Sequence, residues 1–151
     1  VSGQTSIVAY DGASTPVQHT FYPIGNTTDE KLGAVSRWRE GLSGVPLYAQ
    51  PRVTTFLKKL KDGKTRCELR VEVPVMEAIS NQNAAGYTAA PKIAYVDQVS
   101  IVTYFHERSP TTGRRLARML AVNIANNILT SVAAATAGVS SELFDSEIPA
   151  S

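Results

Sequence analysis

Residues 52–73 constrain the fold of this chain more than any other stretch. Two runs of β-branched and apolar residues flank Lys61-Asp62-Gly63-Lys64, and Asp-Gly supplies the positive φ angles that a tight hairpin turn needs. In the second arm Arg66, Glu68, Arg70 and Glu72 alternate with Cys67, Leu69, Val71 and Val73. Successive side chains of a strand point to opposite faces, so this arm turns one face to a core and the other to solvent or a ligand.

The flanking segments extend the same pattern. Ser6-Ile7-Val8-Ala9-Tyr10 and Val17-Gln18-His19-Thr20-Phe21-Tyr22 read as an N-terminal hairpin around the turn formers Asp11-Gly12-Ala13-Ser14-Thr15-Pro16. A polar connection at 25–30 leads to a strand at Ala34-Val35-Ser36-Arg37-Trp38, and a Gly- and Pro-punctuated loop ends at Pro51. Residues 76–91, with Asn81, Asn83, Gly86 and repeated alanines, lack apolar periodicity and read as a long exposed connection. Residues 93–105 are dense in β-branched and aromatic side chains and read as the last strand. Ser109-Pro110-Thr111-Thr112 then offers a helix start, and Leu116, Met119, Leu120, Ile124 and Ile128 follow at helical spacing. Asn126-Asn127 and Thr130-Ser131 suggest a break before an Ala-rich second helix over 132–137, stopped by Gly138, with a tail beyond it.

Strands first and helices last, without βαβ alternation, describe an α+β fold: an antiparallel sheet with helices on one side. Such a sheet has two open edges and too little helix to cover its apolar face. Pairing with a second copy is the economical solution, so an obligate homodimer is expected. At 151 residues the chain fits one domain, with an N-terminal hairpin at 1–23, the sheet at 34–105, helices at 110–137 and a tail at 139–151.

Several function classes are disfavoured. No apolar run approaches the roughly 18 residues that a spanning helix requires, and the first residues lack the basic and apolar regions of a signal peptide, so no membrane partner is expected. A single cysteine, Cys67, forms no intrachain disulfide and fits a small core residue in a reducing compartment. His19 and His106 lie in different elements, with no nucleophile motif, metal-ligand spacing or Gly-rich phosphate loop nearby. The expectation is no enzyme, no cofactor and no metal.

Because the net charge is only +2, the placement of charge matters more than its sum. Lys58, Lys59, Lys61, Lys64, Arg66 and Arg70 all fall within residues 58–70. Cations on a sheet contact phosphates with salt-dependent and largely sequence-independent affinity, although the same residues also serve to keep a hairpin solvated.

The run from Pro51-Arg52-Val53-Thr54 through Val71-Glu72-Val73-Pro74 resembles the central hairpin of coat proteins from single-stranded RNA bacteriophages, the levivirus-like family. Ala34 to Trp38 upstream, Ala94-Tyr95-Val96-Asp97 downstream and the helix opening near Arg114-Arg115 match in order, so the resemblance covers about residues 34–129. It implies an N-terminal hairpin, a five-stranded antiparallel sheet and two C-terminal helices that interlock with a partner's to give a ten-stranded dimer sheet. It also implies dimers built into an icosahedral virion shell assembled in the bacterial host, with helices outside, the sheet facing the single-stranded RNA genome, and the 76–91 loop around symmetry axes.

By that resemblance Thr54, Phe56, Lys58, Arg66, Glu68, Arg70, Tyr95 and Asp97 occupy positions that contact an RNA hairpin, with Lys61 and Lys64 at the hairpin tip. Tyr95 would stack on an unpaired base and Asp97 would accept from a base edge. Val99, Ile101 and Thr103 share the alternation of Tyr95 and Asp97, so placing the latter two on the RNA side calls for a bulge. Phe56 and Glu68 replace small hydroxyl-bearing residues that shape a base pocket in relatives, which favours general RNA packaging over translational repression through one hairpin. A non-viral dimeric β-sheet regulator of nucleic acids is the alternative reading.

Overall fold

The computed structural model describes residues 3–78, 84–86 and 92–151. Among these residues six strands pair in chain order into one antiparallel sheet: β1 (Ile7–Tyr10), β2 (Gln18–Asp29), β3 (Gly33–Glu40), β4 (Arg52–Lys59), β5 (Thr65–Met76) and β6 (Ile93–Phe105). Helices α1 (Thr111–Ala125) and α2 (Val139–Asp145) follow.

The N-terminal hairpin is continuous with the sheet. β2 pairs β1 with its first residues and β3 along the rest of its length, passing a bulge between Pro23 and Gly25. The polar stretch at 25–30 is therefore mostly strand rather than connection. Its Asn and Thr side chains bury nothing and form an exposed ribbon, closed where the Asp29 carboxylate accepts the Lys31 and Leu32 N–H groups at 2.6 and 3.4 Å. At the β4–β5 turn Gly63 takes φ +86°, whereas Asp62 stays in ordinary backbone space and accepts the Lys64 N–H at 3.1 Å. Leu60 N donates to Lys64 O at 2.8 Å, so the turn is longer than an Asp-Gly pair alone.

One face of the sheet carries the core. Cys67, Phe105, Leu143 and Phe144 cluster with Leu57, Leu69 and Ile101, and beside them Phe21, Trp38 and Val53 pack with Ile7, Val71 and Val139. Trp38 is fully buried, and its indole N–H is satisfied by Thr5 O at 2.8 Å. Leu143 and Phe144 come from α2, each worth about 1.5–3 kcal/mol of burial.

That placement corrects the C-terminal reading. Residues 132–137 are not helical, Gly138 opens a helix instead of stopping one, at φ +105°, and the stretch expected as a tail supplies the core. Burial outweighs the helix propensity of the alanines, since an isolated short helix gains little without a face to bury. The chain then runs back along β3, where Ser36 Oγ donates to Ala150 O at 2.9 Å.

α1 is tied to α2 by charge. Asp145, 1% exposed, accepts from Arg118 Nε and Nη2, both at 2.8 Å, and from Arg115 Nε at 2.9 Å. Arg118 also donates to Ala135 O at 2.9 Å. Burial pushes the Asp145 carboxyl up, and the Arg118 and Arg115 hydrogen bonds outweigh it, so the group sits below its usual range. Along α1 the expected stripe is present but faces solvent: Leu116, Leu120 and Ile124 are exposed, Ile124 by 77%.

Candidate nucleic-acid interface

The face of the sheet opposite the helices is built in rows by the register. Val35, Phe56, Glu68 and Val102 oppose one another across β3 to β6 and form a central row. On one side lies the row Arg37, Thr54, Arg70 and Ser100, and on the other Lys58, Arg66 and Tyr104. A further row holds Arg39, Arg52, Glu72 and Gln98.

This face is less open than the alternation suggests, because Val35, Phe56 and Glu68 are buried. Long cationic side chains lie over them. The Arg70 guanidinium stands 4.8 Å from the Phe56 ring centroid, a cation–π distance. Glu68 accepts from Arg66 Nη2 at 2.6 Å through one oxygen and from Arg70 Nε at 3.0 Å through the other. Burial pushes the Glu68 carboxyl up, and the Arg66 and Arg70 contacts more than reverse that, so it stays ionised below its usual range. Lys58 Nζ donates to Lys31 O at 2.5 Å and Arg37 Nη1 to Thr27 Oγ1 at 3.2 Å, which pins further cations on the same face.

Six of the expected residues are thus brought together: Thr54, Phe56, Lys58, Arg66, Glu68 and Arg70. Lys61 and Lys64 sit exposed at the hairpin tip, Lys64 Nζ lying 3.9 Å from Asp62. Tyr95 and Asp97 are not brought to this face. Asp97 opposes Val73 and Tyr95 opposes Val75, on the helix-side alternation, and the register shift falls between Val75 and Met76, too late to turn them over. Arg37, Arg39 and Arg52 are cations of this face that the hairpin-centred reading missed. The alternation of Arg37 and Arg39 around Trp38 was the available signal.

A second bare surface lies on the helix side. Among the described residues β6 has a neighbour along one edge only, and Tyr95 and Val99 on this side of it are exposed, whereas the exposed Tyr104 belongs to the open face beside Arg66. Between β1, the sheet and residues 135–141 lies a largely apolar cavity of about 760 Å³, lined by Ile7, Phe21, Val53, Val71 and Val122. At its rim His19 Nδ1 lies 2.7 Å from Glu40 and Nε2 lies 3.4 Å from Asp11, contacts that raise the His19 pKa. His106 Nδ1 accepts the Arg108 N–H at 3.2 Å. Both histidines serve local structure. Among the described residues no group of His, Cys, Asp and Glu is arranged to hold a metal, and no helix is long and apolar enough to cross a membrane.

An antiparallel sheet with a cationic face, followed by two helices on the other side, is an architecture with known counterparts. The family model for levivirus coat protein matches residues 2–141. The chain belongs to the levivirus coat protein family. It is accordingly a capsid subunit of the phage virion, a structural protein rather than an enzyme, and its family builds particles by self-assembly. The virus-like particle of bacteriophage EMS014 superimposes with TM-score 0.71 at 30% identity, covering 86% of this chain and 81% of that one. For the virus-like particle of bacteriophage ESE058 the values are 0.69 and 20%, covering 97% and 98%. The bacteriophage GA capsid protein gives 0.54 and 19%, covering 95% of each chain. The last two speak to the fold of this coat subunit alone. Curated protein sequences contain no significant match. The expected inter-dimer loop at 76–91 lies mostly outside the described residues.

Proposed function

We propose that this coat subunit pairs with a second copy along β6, closes into an icosahedral shell as dimers, and packages single-stranded RNA on its open face. The observation that carries the reading is the contrast between the two faces. Apolar side chains left bare cluster on α1 and around the cavity, whereas the opposite face carries Arg37, Arg39, Arg52, Lys58, Arg66 and Arg70 against Glu68 and Glu72, and the β6 edge is apolar on both faces.

A 13-residue edge strand presents a row of unpaired backbone donors and acceptors, which a second β6 running antiparallel satisfies. Such pairing joins β2 to β6 of each copy into a ten-stranded sheet, with β1 at either end. The Leu116, Leu120 and Ile124 stripe then has the partner's apolar cavity to occupy. RNA phosphates neutralise the cationic rows, and the counterions they release drive binding at low salt. Translational repression through one genomic hairpin would additionally require that face to read bases.

Expression of the protein alone tests the reading, by sedimentation, electron microscopy and the ultraviolet absorbance ratio of the product. Closed shells with nucleic-acid absorbance are expected. Shells free of RNA would remove the packaging role, and a lasting 16.2 kDa monomer would remove the pairing.

A further inference from the structure

The two ends of the sheet differ in charge. At one end lie the turns 30–32, 60–64 and 106–110, every one of which carries at least two charged residues. At the other lie the β1–β2 turn, the β3–β4 loop and the connection that leaves β5 and returns as β6. Residues 41–51 and 78–91 contain no charged residue, and the β1–β2 turn contributes Asp11 alone, whose carboxylate already accepts the Ala13 and Val17 N–H groups at 3.2 and 2.9 Å.

The β3–β4 loop is built to hold apolar side chains out in water. Gln50, 3% exposed, accepts the Leu42 N–H at 2.9 Å and donates to Leu42 O at 2.8 Å and to Val45 O at 2.9 Å. Ala49 N donates to Pro46 O at 3.0 Å, and Glu40 N donates to Pro51 O at 3.0 Å and closes the base of the loop. On this frame Leu42 is 41%, Leu47 67% and Tyr48 49% exposed, and Val17 on the β1–β2 turn at the same end is 53% exposed. Fixing a loop costs backbone entropy, and apolar side chains left in water return none of it. A preordered apolar surface is covered by a partner with little further ordering.

Symmetry and charge name the partner. Pairing along β6 is isologous, so each copy satisfies the other and the contact ends with the dimer. A closed shell of dimers therefore takes a second contact elsewhere on the subunit, where copies related by a rotation axis gather like regions together. Charged ends gathered in that way would set like charges side by side, and an uncharged end does not. Resting on the proposed pairing along β6, we infer that the uncharged end of the sheet, through Leu42, Leu47 and Tyr48 on the loop held by Gln50, is the surface by which one dimer of this chain meets the next as the shell closes. The contact is small and apolar, so a single one is weak and the shell is held by many of them.

The test compares Leu47→Asp with the parent, each expressed alone, by circular dichroism, sedimentation and electron microscopy. Leu47 is exposed, so the substitution should leave the fold in place. The inference expects parental circular dichroism, dimers that sediment at twice 16.2 kDa, and a yield of closed shells lower by about tenfold or more. Leu47→Met, which keeps an apolar side chain, should assemble like the parent. So should Leu32→Asp, since that leucine is 46% exposed on a turn at the charged end.

Shells at parental yield from Leu47→Asp overturn the inference and leave the pairing intact. An equal loss of shells in Leu32→Asp also overturns it, because the loss then follows any added charge. A Leu47→Asp monomer places the loop in the pairing contact and overturns it as well, whereas a parent that is itself a lasting monomer overturns the pairing reading. If Leu47→Asp does not fold, the Leu47→Ser, Tyr48→Ser double variant decides by the same outcomes.

Discussion

The two helices, separated by residues 126–138, are held in opposite ways. α2, seven residues long, places Leu143 and Phe144 in the core against Cys67 and Phe105, and its stability comes from that burial. α1, fifteen residues long and regularly amphipathic, leaves Leu116, Leu120 and Ile124 in solvent and is anchored by arginines on one buried carboxylate. The short helix serves the subunit's own fold, and the long one, on the proposed pairing, offers its bare stripe to a second copy. The apolar side chains of α2 meet the core, and those of the α1 stripe meet solvent.

This contrast breaks most readily at Phe144. Phe144→Ala should cost about 3–5 kcal/mol of subunit stability in urea denaturation, the range for a buried aromatic, whereas Leu120→Ala on α1 should leave the fold of the subunit in place and act on assembly. Nearly as large an effect is expected at the joint between the helices. Asp145→Ala leaves the buried Arg118 without its counter-charge and should destabilise by about 3 kcal/mol, with α1 losing protection from hydrogen exchange before the sheet does.

Acid sharpens the same point. The folded Asp145 pKa lies below its unfolded value of 3.8, so its contribution is complete above that value and is lost as the pH falls through the lower folded one. Thermal midpoints of the parent should drop between pH 5 and 2 more steeply than those of Asp145→Asn. The smallest effect is expected at His19, whose folded pKa is raised above 6.5: its clasp on Glu40 and Asp11 is fully present below pH 6.5 and fades as the pH rises through the folded value. His19→Gln should therefore differ from the parent in thermal midpoint at pH 5.5 and converge with it in alkali.

Much of this was legible in residue order. The β-branched density of residues 93–105 marks β6 at its observed ends, and the stripe from Leu116 to Ile124 marks α1, which ends at Ala125 short of Ile128, because both signals repeat over many residues. α2 escaped because seven residues hold too few turns for periodicity, and its helicity depends on a groove that forms only when β5 and β6 pair. The second half of β2 escaped for the opposite reason: Asn26, Thr27 and Thr28 bury nothing and resemble a loop in composition. On the open face, Arg37, Arg39 and Arg52 join Arg66 and Arg70 through register across strands, which a search within one hairpin cannot see. Tyr95 and Asp97 keep the alternation of Val99 and Ile101 and stand on the helix side, whereas their position within the family pointed to the open face.

The most direct test of the central claim, that the bare stripe of α1 belongs to a second copy, is sedimentation and electron microscopy of a Leu120→Asp, Ile124→Asp double variant beside the parent. The account predicts a subunit with parental circular dichroism that sediments near 16.2 kDa and forms no particles. Particles of parental size and yield from that variant would contradict it.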